Sequence, residues 1–120
     1  MSKIIQAVNS MIANKDKISD VKWVEDSEFV LFLFNGKYKW AIRPSGNDDF
    51  TLFFFKTDLS IDELADIGSW ENEASIRYSA KELGTKEAFV SFRELNQIVQ
   101  EKVLGIDAAL DDIIGKKTWS

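Results

Sequence analysis

The segment that decides the fold is "EFVLFLFNGKYKWAIR", residues 28–43, in which two mainly apolar runs flank the dipeptide Asn35-Gly36. Asn-Gly best tolerates the positive φ angles of a type I′ turn, so the segment predicts a β-hairpin with a two-residue turn. Such a turn also defines the register of the two strands. The predicted pairs are Phe34 with Lys37, Leu33 with Tyr38, Phe32 with Lys39, Leu31 with Trp40, Val30 with Ala41 and Phe29 with Ile42.

This register divides the hairpin into two faces, because successive side chains of a strand point to opposite sides. The predicted core side collects Phe29, Leu31, Leu33, Tyr38, Trp40 and Ile42. The other side carries Val30, Phe32, Phe34, Lys37, Lys39 and Arg43.

A neighbouring strand over residues 50–55 contributes more aromatic rings, and Phe53 and Phe55 are expected on the second side. The predicted self-association face therefore consists of Val30, Phe32, Phe34, Phe53 and Phe55, with Lys37 and Lys39 at its rim. At about 150 to 250 Å² for each aromatic ring, these five residues would carry roughly 700 to 1,000 Å² of mainly apolar surface. Soluble monomers rarely expose a patch of that size, so helices of this chain or a second chain must cover it.

The rest of the chain supplies helices and further strands. Residues 3–13 predict a helix capped by Ser2, and residues 60–67 a short helix that begins with a capping box. A second capping box, Ser91 with Glu94, predicts that the long C-terminal helix begins at residue 91, and apolar helical turns follow Gly105. Residues 73–80 and 86–90 are predicted to pair as a second hairpin around a loop that contains Gly84.

The sequence therefore predicts a single α+β domain over residues 1–120: an antiparallel meander of about four strands plus a second hairpin, packed with N-terminal and C-terminal helices. This order of elements resembles that of the small acidic chaperones of type III secretion, which run helix, three strands, helix, two strands, helix. The resemblance covers element order only, and the extra strand and short middle helix depart from it.

Two absences narrow the chemistry. The chain has no cysteine and no histidine, which removes the usual zinc ligands and the usual general base at neutral pH. Carboxylate pairs such as Asp62 with Asp66 are interpreted as surface charge. We therefore expect a non-enzymatic protein with no cofactor and no metal site.

The net charge of −5 lies in the second half of the chain, where residues 51–120 hold 13 acids and 8 bases. An exposed tryptophan among carboxylates would suit a basic protein partner, because tryptophan is enriched at binding hot spots. The alternative is that this tryptophan is buried and the acids form a solvated rim. The predicted partner-binding residues are Asp62, Asp66, Trp70, Glu71 and Glu73.

The sequence disfavours nucleic acid and the membrane as partners. Nucleic acid is disfavoured by the overall acidity and by Tyr38 and Trp40 pointing away from Lys37 and Lys39. No segment predicts a signal peptide or a membrane span, so a cytoplasmic location is expected.

The functional prediction is a protein-binding module of inhibitor, immunity-protein or chaperone type that forms a homodimer. The alternative is a small-molecule binder with an apolar pocket between helix and sheet. The terminal helices either lie on opposite faces of the sheet or share one face and leave the other as an interface.

Overall fold

The computed structural model describes residues 2–25, 27–46, 48–67, 69–70 and 73–115, except for the side chain of Asp107. In this part of the chain, five antiparallel strands lie side by side in chain order. The predicted class is confirmed: the domain is α+β, with helices before and after the sheet. The elements in chain order are α1 (Lys3–Ala13), β1 (Ile18–Trp23), β2 (Val30–Phe34), β3 (Tyr38–Pro44), β4 (Phe50–Phe55), α2 (Ile61–Asp66), β5 (Ser75–Ser79), α3 (Ala80–Leu83), α4 (Lys86–Leu104) and α5 (Ile106–Ile114). A 3-10 turn at Lys15–Lys17 connects α1 to β1.

The first face of the sheet is covered by α1 and α4 together. The two helices are joined by the Ser91 hydroxyl, which donates to Asn9 Oδ1 at 2.6 Å. The terminal helices therefore share one face, which is the second of the two arrangements considered above. The buried cluster on this face comprises Ile4, Ile5, Val8, Met11, Ala88, Phe92, Leu95 and Val99 from the helices with Ile18, Val30, Phe32, Trp40, Ile42 and Leu52 from the sheet, and also Ala80.

The predicted hairpin forms, but its register is wrong by one residue. Asn35 and Gly36 have φ angles of 58° and 71°, as the turn prediction requires. Lys37 joins the turn, however, so that Phe34 pairs with Tyr38. Each later pair shifts in the same way, which is why the two predicted faces contain the wrong partners. The observed pairs are Phe34 with Tyr38, Leu33 with Lys39, Phe32 with Trp40, Leu31 with Ala41 and Val30 with Ile42.

The observed register has a physical reason. It places the large side chains of both strands on one side, where α1 and α4 cover them. The predicted register would have placed Lys39 and Lys37 opposite Phe32 and Phe34, where the observed register places Trp40 and Tyr38 and leaves Lys39 opposite Leu33 on the other side. Apolar burial favours the observed alternative, because it removes more apolar surface from water.

The second face is covered by this chain as well. Ile61 and Leu64 of α2 are buried against Leu31, Ala41 and Phe55 of the sheet. Around them pack Phe29, Leu33, Phe53, Leu59, Ala65 and Trp70, each partly buried. The prediction that both faces need cover is confirmed, and of the two covers left open for the second face, elements of this chain supply it.

The predicted self-association face does not exist as one surface. Val30, Phe32 and Phe34 lie under α1 and α4, whereas Phe53 and Phe55 lie on the opposite side under α2 and Trp70. The register shift explains this separation, because it moves the first three residues to the helix-covered side.

The long helix begins at Lys86, not at residue 91. Thr85 is the N-cap, and its hydroxyl oxygen accepts a hydrogen bond from the Ala88 N–H at 3.1 Å. Ser91 lies in the second turn, where its hydroxyl holds α1. The predicted capping box is wrong because the residues from Lys86 to Val90 continue the helix rather than forming a strand.

The second hairpin is wrong for the same reason. Residues 75–79 do form the edge strand β5, which pairs with β4, but the residues after it turn directly into α3. Gly84, with φ 71°, ends α3 in the left-handed conformation that glycine adopts most easily. It separates two helices instead of two strands.

Candidate functional site

Trp70 is part of the cover of the second sheet face. Its ring lies edge-on to Phe29, Phe53 and Phe55, at centroid distances of 5.0, 5.6 and 5.0 Å. Its indole N–H donates to the Leu64 carbonyl at 2.9 Å, which ties the ring to the end of α2. We call these four rings the aromatic lid. The geometry matches the alternative considered above, in which this tryptophan packs inward.

The acids of α2 lie on its solvent side. Asp62 accepts a hydrogen bond from Lys22 Nζ at 2.9 Å, and this ion pair connects α2 to β1. The hydrogen bond to Asp62 and the charge of that carboxylate raise the pKa of Lys22 above its ordinary value, with a smaller contribution from Asp66. Asp66 lies one turn later and is exposed. Both predicted residues therefore share one solvent-exposed helix face.

The remaining predicted acids have a different position. Glu73 accepts a hydrogen bond from the Thr57 hydroxyl at 2.8 Å, which joins the two chain segments that flank α2. Glu71 lies outside the described residues. The structure therefore brings Asp62 and Asp66 together but does not place Trp70 beside them as an exposed ring.

The lysines assigned to the rim of the sheet face lie at the end of the β2–β3 hairpin. Lys39 Nζ donates to the Thr57 carbonyl at 2.8 Å, and Lys37 Nζ lies 4.8 Å from the centre of the Tyr38 ring. These four residues, with Lys56, line an open cleft at this end of the sheet. The predicted separation of lysines from aromatic rings therefore does not hold at the turn, because Lys37 is not part of the regular strand.

An exposed apolar surface lies on α5 and on Leu104, the last residue of α4. Gly105, with φ 65°, ends α4 by donating its N–H to the carbonyls of Glu101 and Lys102. The chain changes direction there, and no described residue of α5 belongs to either buried cluster. The α5 stripe consists of the exposed residues Leu104 (63%), Ile106 (38%), Leu110 (50%), Ile113 (80%) and Ile114 (66%).

The α5 stripe borders a groove of about 380 Å³. The groove is lined by Ile98, Glu101 and Lys102 of α4 and by Ile106 and Leu110 of α5. Lys15 and Asp16, in the turn after α1, also line it. The charges around the stripe are mixed: residues 106–114 carry acids and no base, whereas the groove is lined by two lysines, Lys15 and Lys102, and two acids, Asp16 and Glu101. The surface is therefore apolar along its centre and charged along its edges.

The apolar pattern of α5 is visible in the sequence, but its position is not. Residues 106–114 have the periodicity of an amphipathic helix, which predicts that the apolar side faces the sheet. Gly105 is the signal for a change of direction, because glycine is common where a helix ends in the left-handed conformation. The direction that the chain takes after it depends on tertiary packing.

The described residues contain no group of three or more carboxylate, histidine or cysteine side chains placed to hold a metal ion. Among the same residues, no helix has both the length and the apolar character needed to cross a membrane. Comparisons with protein-family models, with curated proteins and with solved structures find no significant match to this chain. The function is therefore argued from the surface of the domain.

Proposed function

We propose that the chain is a non-enzymatic protein-binding module, and that the α5 stripe is the surface that binds the partner. One observation carries this proposal: Leu110 and Ile113 are 50% and 80% exposed in a domain whose two sheet faces are both covered by its own elements. An exposed apolar patch bordered by polar residues is typical of a protein-interaction site.

The size of the stripe supports the same proposal. The five exposed fractions correspond to roughly 500 to 600 Å² of apolar surface, at the upper end of what a typical monomer exposes as its largest patch. Burial of this surface is worth about 25 cal/mol for each Å², so it supplies a driving force for association on the order of 10 kcal/mol before the costs of binding.

The inhibitor, immunity-protein and chaperone types proposed from the sequence share this mode of action, which is reversible capture of another protein. Asp62 and Asp66 on α2 stay predicted contacts for a basic partner. Trp70 is removed from that set, because its packing in the aromatic lid accounts for its position. The exposed stripe supports a protein partner over a small molecule, since the layer between α4 and the sheet is filled by fully buried side chains such as Phe32 and Phe92.

The test compares two variants that add the same charge to two exposed aliphatic residues. Ile113→Asp changes the α5 stripe, and the control Val90→Asp changes a residue of α4 that is 42% exposed. Val90 lies about 20 Å along the helix axis from Leu104, since each helical residue advances 1.5 Å. Tagged wild-type protein and both variants are used to capture proteins from native lysate after reversible crosslinking.

We expect the wild-type protein and Val90→Asp to capture the same set and Ile113→Asp to lose it. Circular dichroism and thermal melting must show that both variants keep the wild-type fold. Equal capture by all three proteins, or no capture above a tag-only control, would contradict the proposal.

A further inference from the structure

We propose that the open cleft at the end of the β2–β3 hairpin is a second binding site, and that its ligand is a small phosphorylated compound with a planar ring, such as a nucleoside monophosphate. The cleft is separate from the α5 stripe, because the two surfaces share no residue. Three observations lead to this site: the charges that line the cleft, the ring beside them and the acids around them.

The cleft is positively charged in a chain whose net charge is −5. It is lined by Lys37, Lys39 and Lys56 and by one carboxylate, that of Asp58. In the described part of the chain, none of these three lysines forms an ion pair. The volume of the cleft is about 760 Å³, which lies within the range of about 300 to 1,000 Å³ that is typical of small-molecule sites. The cleft therefore has the charge and the room for a small anion.

The strand register brings the lysines to the same opening. Lys39 pairs with Phe55, the last residue of β4, so the next position along places Tyr38 beside Lys56. Lys39 Nζ donates to the Thr57 carbonyl at 2.8 Å, and an ammonium group has three N–H donors, so two remain for a ligand. Lysine ammonium groups are common ligands of phosphate.

Tyr38 adds an aromatic ring to the cleft. It is 41% exposed, and the Phe54 ring lies behind it at a centroid distance of 6.3 Å. Lys37 Nζ lies 4.8 Å from the centre of the Tyr38 ring. Because Lys37 is exposed, its ammonium group can move to a bound phosphate, and the planar group attached to that phosphate can replace it against the ring. A ring that stacks on a base, next to lysines that hold its phosphate, is a combination used in nucleotide recognition.

The neighbouring charges favour a ligand with one phosphate over a nucleic acid chain. The depression that adjoins the cleft is balanced in charge, because it is lined by three acids and three lysines: Asp20, Asp58, Asp62, Lys22, Lys37 and Lys39. The excess positive charge is therefore confined to the cleft. A chain of phosphates that continued past it would meet the acids, and the negative net charge of the domain would repel it further.

The first experiment is an NMR titration of the isotope-labelled chain with adenosine monophosphate, and separately with adenosine and with inorganic phosphate. We expect adenosine monophosphate to bind with a dissociation constant on the order of a millimolar, because the cleft is open and offers few contacts. The amide signals of Lys37, Tyr38 and Lys56 should shift most. Adenosine and phosphate should each bind at least about fivefold more weakly, since each makes only part of the contacts.

The second experiment compares two charge reversals. Lys56→Glu changes the cleft, and the control Lys86→Glu makes the same change at the start of α4. Lys86 lies near the opposite end of the sheet, since it follows α3, and β5 ends at Ser79, which pairs with Thr51 at the far end of β4. We expect Lys56→Glu to weaken the binding of adenosine monophosphate about tenfold and Lys86→Glu to weaken it less than about twofold.

A matched pair of ring deletions tests the stacking. Tyr38→Ala should weaken binding about fivefold, because it removes the ring of the cleft. Trp23→Ala removes another exposed ring, on β1, and should leave the affinity unchanged. Circular dichroism and thermal melting of all four variants must show the wild-type fold.

Each component of the proposal has an outcome that overturns it. Equal weakening by Lys56→Glu and Lys86→Glu would mean that the ligand responds to net charge alone, and there would be no site. Adenosine monophosphate that binds no better than phosphate would remove the planar ring from the ligand class. A short single-stranded oligonucleotide that binds more tightly than adenosine monophosphate would replace the small ligand by nucleic acid. No shifted signal at about 10 mM adenosine monophosphate would reject the site as a whole.

Discussion

The aromatic lid makes a quantitative prediction for Trp70, because its ring contacts three phenylalanines and its indole N–H is hydrogen-bonded. Replacing a fully buried tryptophan by alanine costs about 3 to 5 kcal/mol of unfolding free energy. Trp70 is partly buried, so we expect Trp70→Ala to cost about 2 to 4 kcal/mol, of which the lost hydrogen bond contributes about 1 kcal/mol. For a domain of this size, that corresponds to a melting temperature lower by roughly 8 to 15 °C.

Trp23 provides a control of the same residue type. Its ring is 43% exposed, belongs to neither buried cluster, and its indole N–H donates to the Ser27 carbonyl at 3.0 Å. Trp23→Ala should therefore cost about 1 kcal/mol, mainly through the lost hydrogen bond. Trp70→Phe keeps a ring in the lid and removes the N–H, so its cost should lie between those of the two alanine variants.

The assay is urea unfolding followed by far-ultraviolet circular dichroism, because the chain has four tryptophans and fluorescence would mix their signals. A Trp70→Ala variant within about 0.5 kcal/mol of the wild-type free energy would refute the reasoning, since a surface substitution has an effect of that size. If that variant also lost its captured protein partner, the sequence-based interpretation of Trp70 as a binding hot spot would be the better one.

Two further predictions concern polar contacts. Burial alone would raise the pKa of the Asp49 carboxyl, but hydrogen bonds from the Ser79 hydroxyl and the backbone N–H groups of Lys81 and Phe50 lower it below its ordinary value. The stabilising effect of the ionised Asp49 carboxyl should be complete above the unfolded pKa of about 3.9 and should be lost as the pH falls through the folded pKa. We therefore expect Asp49→Asn to cost about 1 kcal/mol of unfolding free energy at pH 7 and less at about pH 2 to 3. Urea unfolding at both pH values measures the difference. Thr85→Ala should cost about 1 kcal/mol because it removes the N-cap of α4, and an unchanged urea midpoint would contradict that helix start.

The sequence predicts those features that depend on local chemistry. Ser2 and Ser60 cap α1 and α2 as expected, and Asn35 has the positive φ angle that its turn requires. The need to cover both sides of the sheet also follows from the sequence, because strands with aromatic residues on both faces cannot remain in water.

The features that the sequence does not predict depend on competition between similar local signals. Thr85 and Ser91 are both capable N-caps, and the choice between them depends on whether residues 86–90 pack as helix or as strand. The hairpin register depends on Lys37, which fits a strand or a turn equally well. In both cases tertiary burial decides, because it exceeds a local preference of about 1 kcal/mol.

In the candidate site too, local patterns predict some features and tertiary packing determines the others. Asp62 and Asp66 were predicted to share one exposed surface, since residues four apart share a helix face, and they do. The position of Trp70 depends on how the chain after α2 folds back over the sheet, which no local pattern predicts. A tryptophan next to acids is therefore compatible with an exposed hot spot and with a buried lid.

The α5 stripe can be tested by mutation because the fold does not depend on it. Ile113 lies outside both buried clusters, so a charge at this position should leave the unfolding free energy of the monomer within about 0.5 kcal/mol of the wild-type value. The same charge at Phe92, which is fully buried between α4 and the sheet, would unfold the domain and reveal nothing about binding. A loss of association in Ile113→Asp can therefore be assigned to the surface itself, since the sheet, its two covers and the ion pair of α2 all lie elsewhere in the molecule.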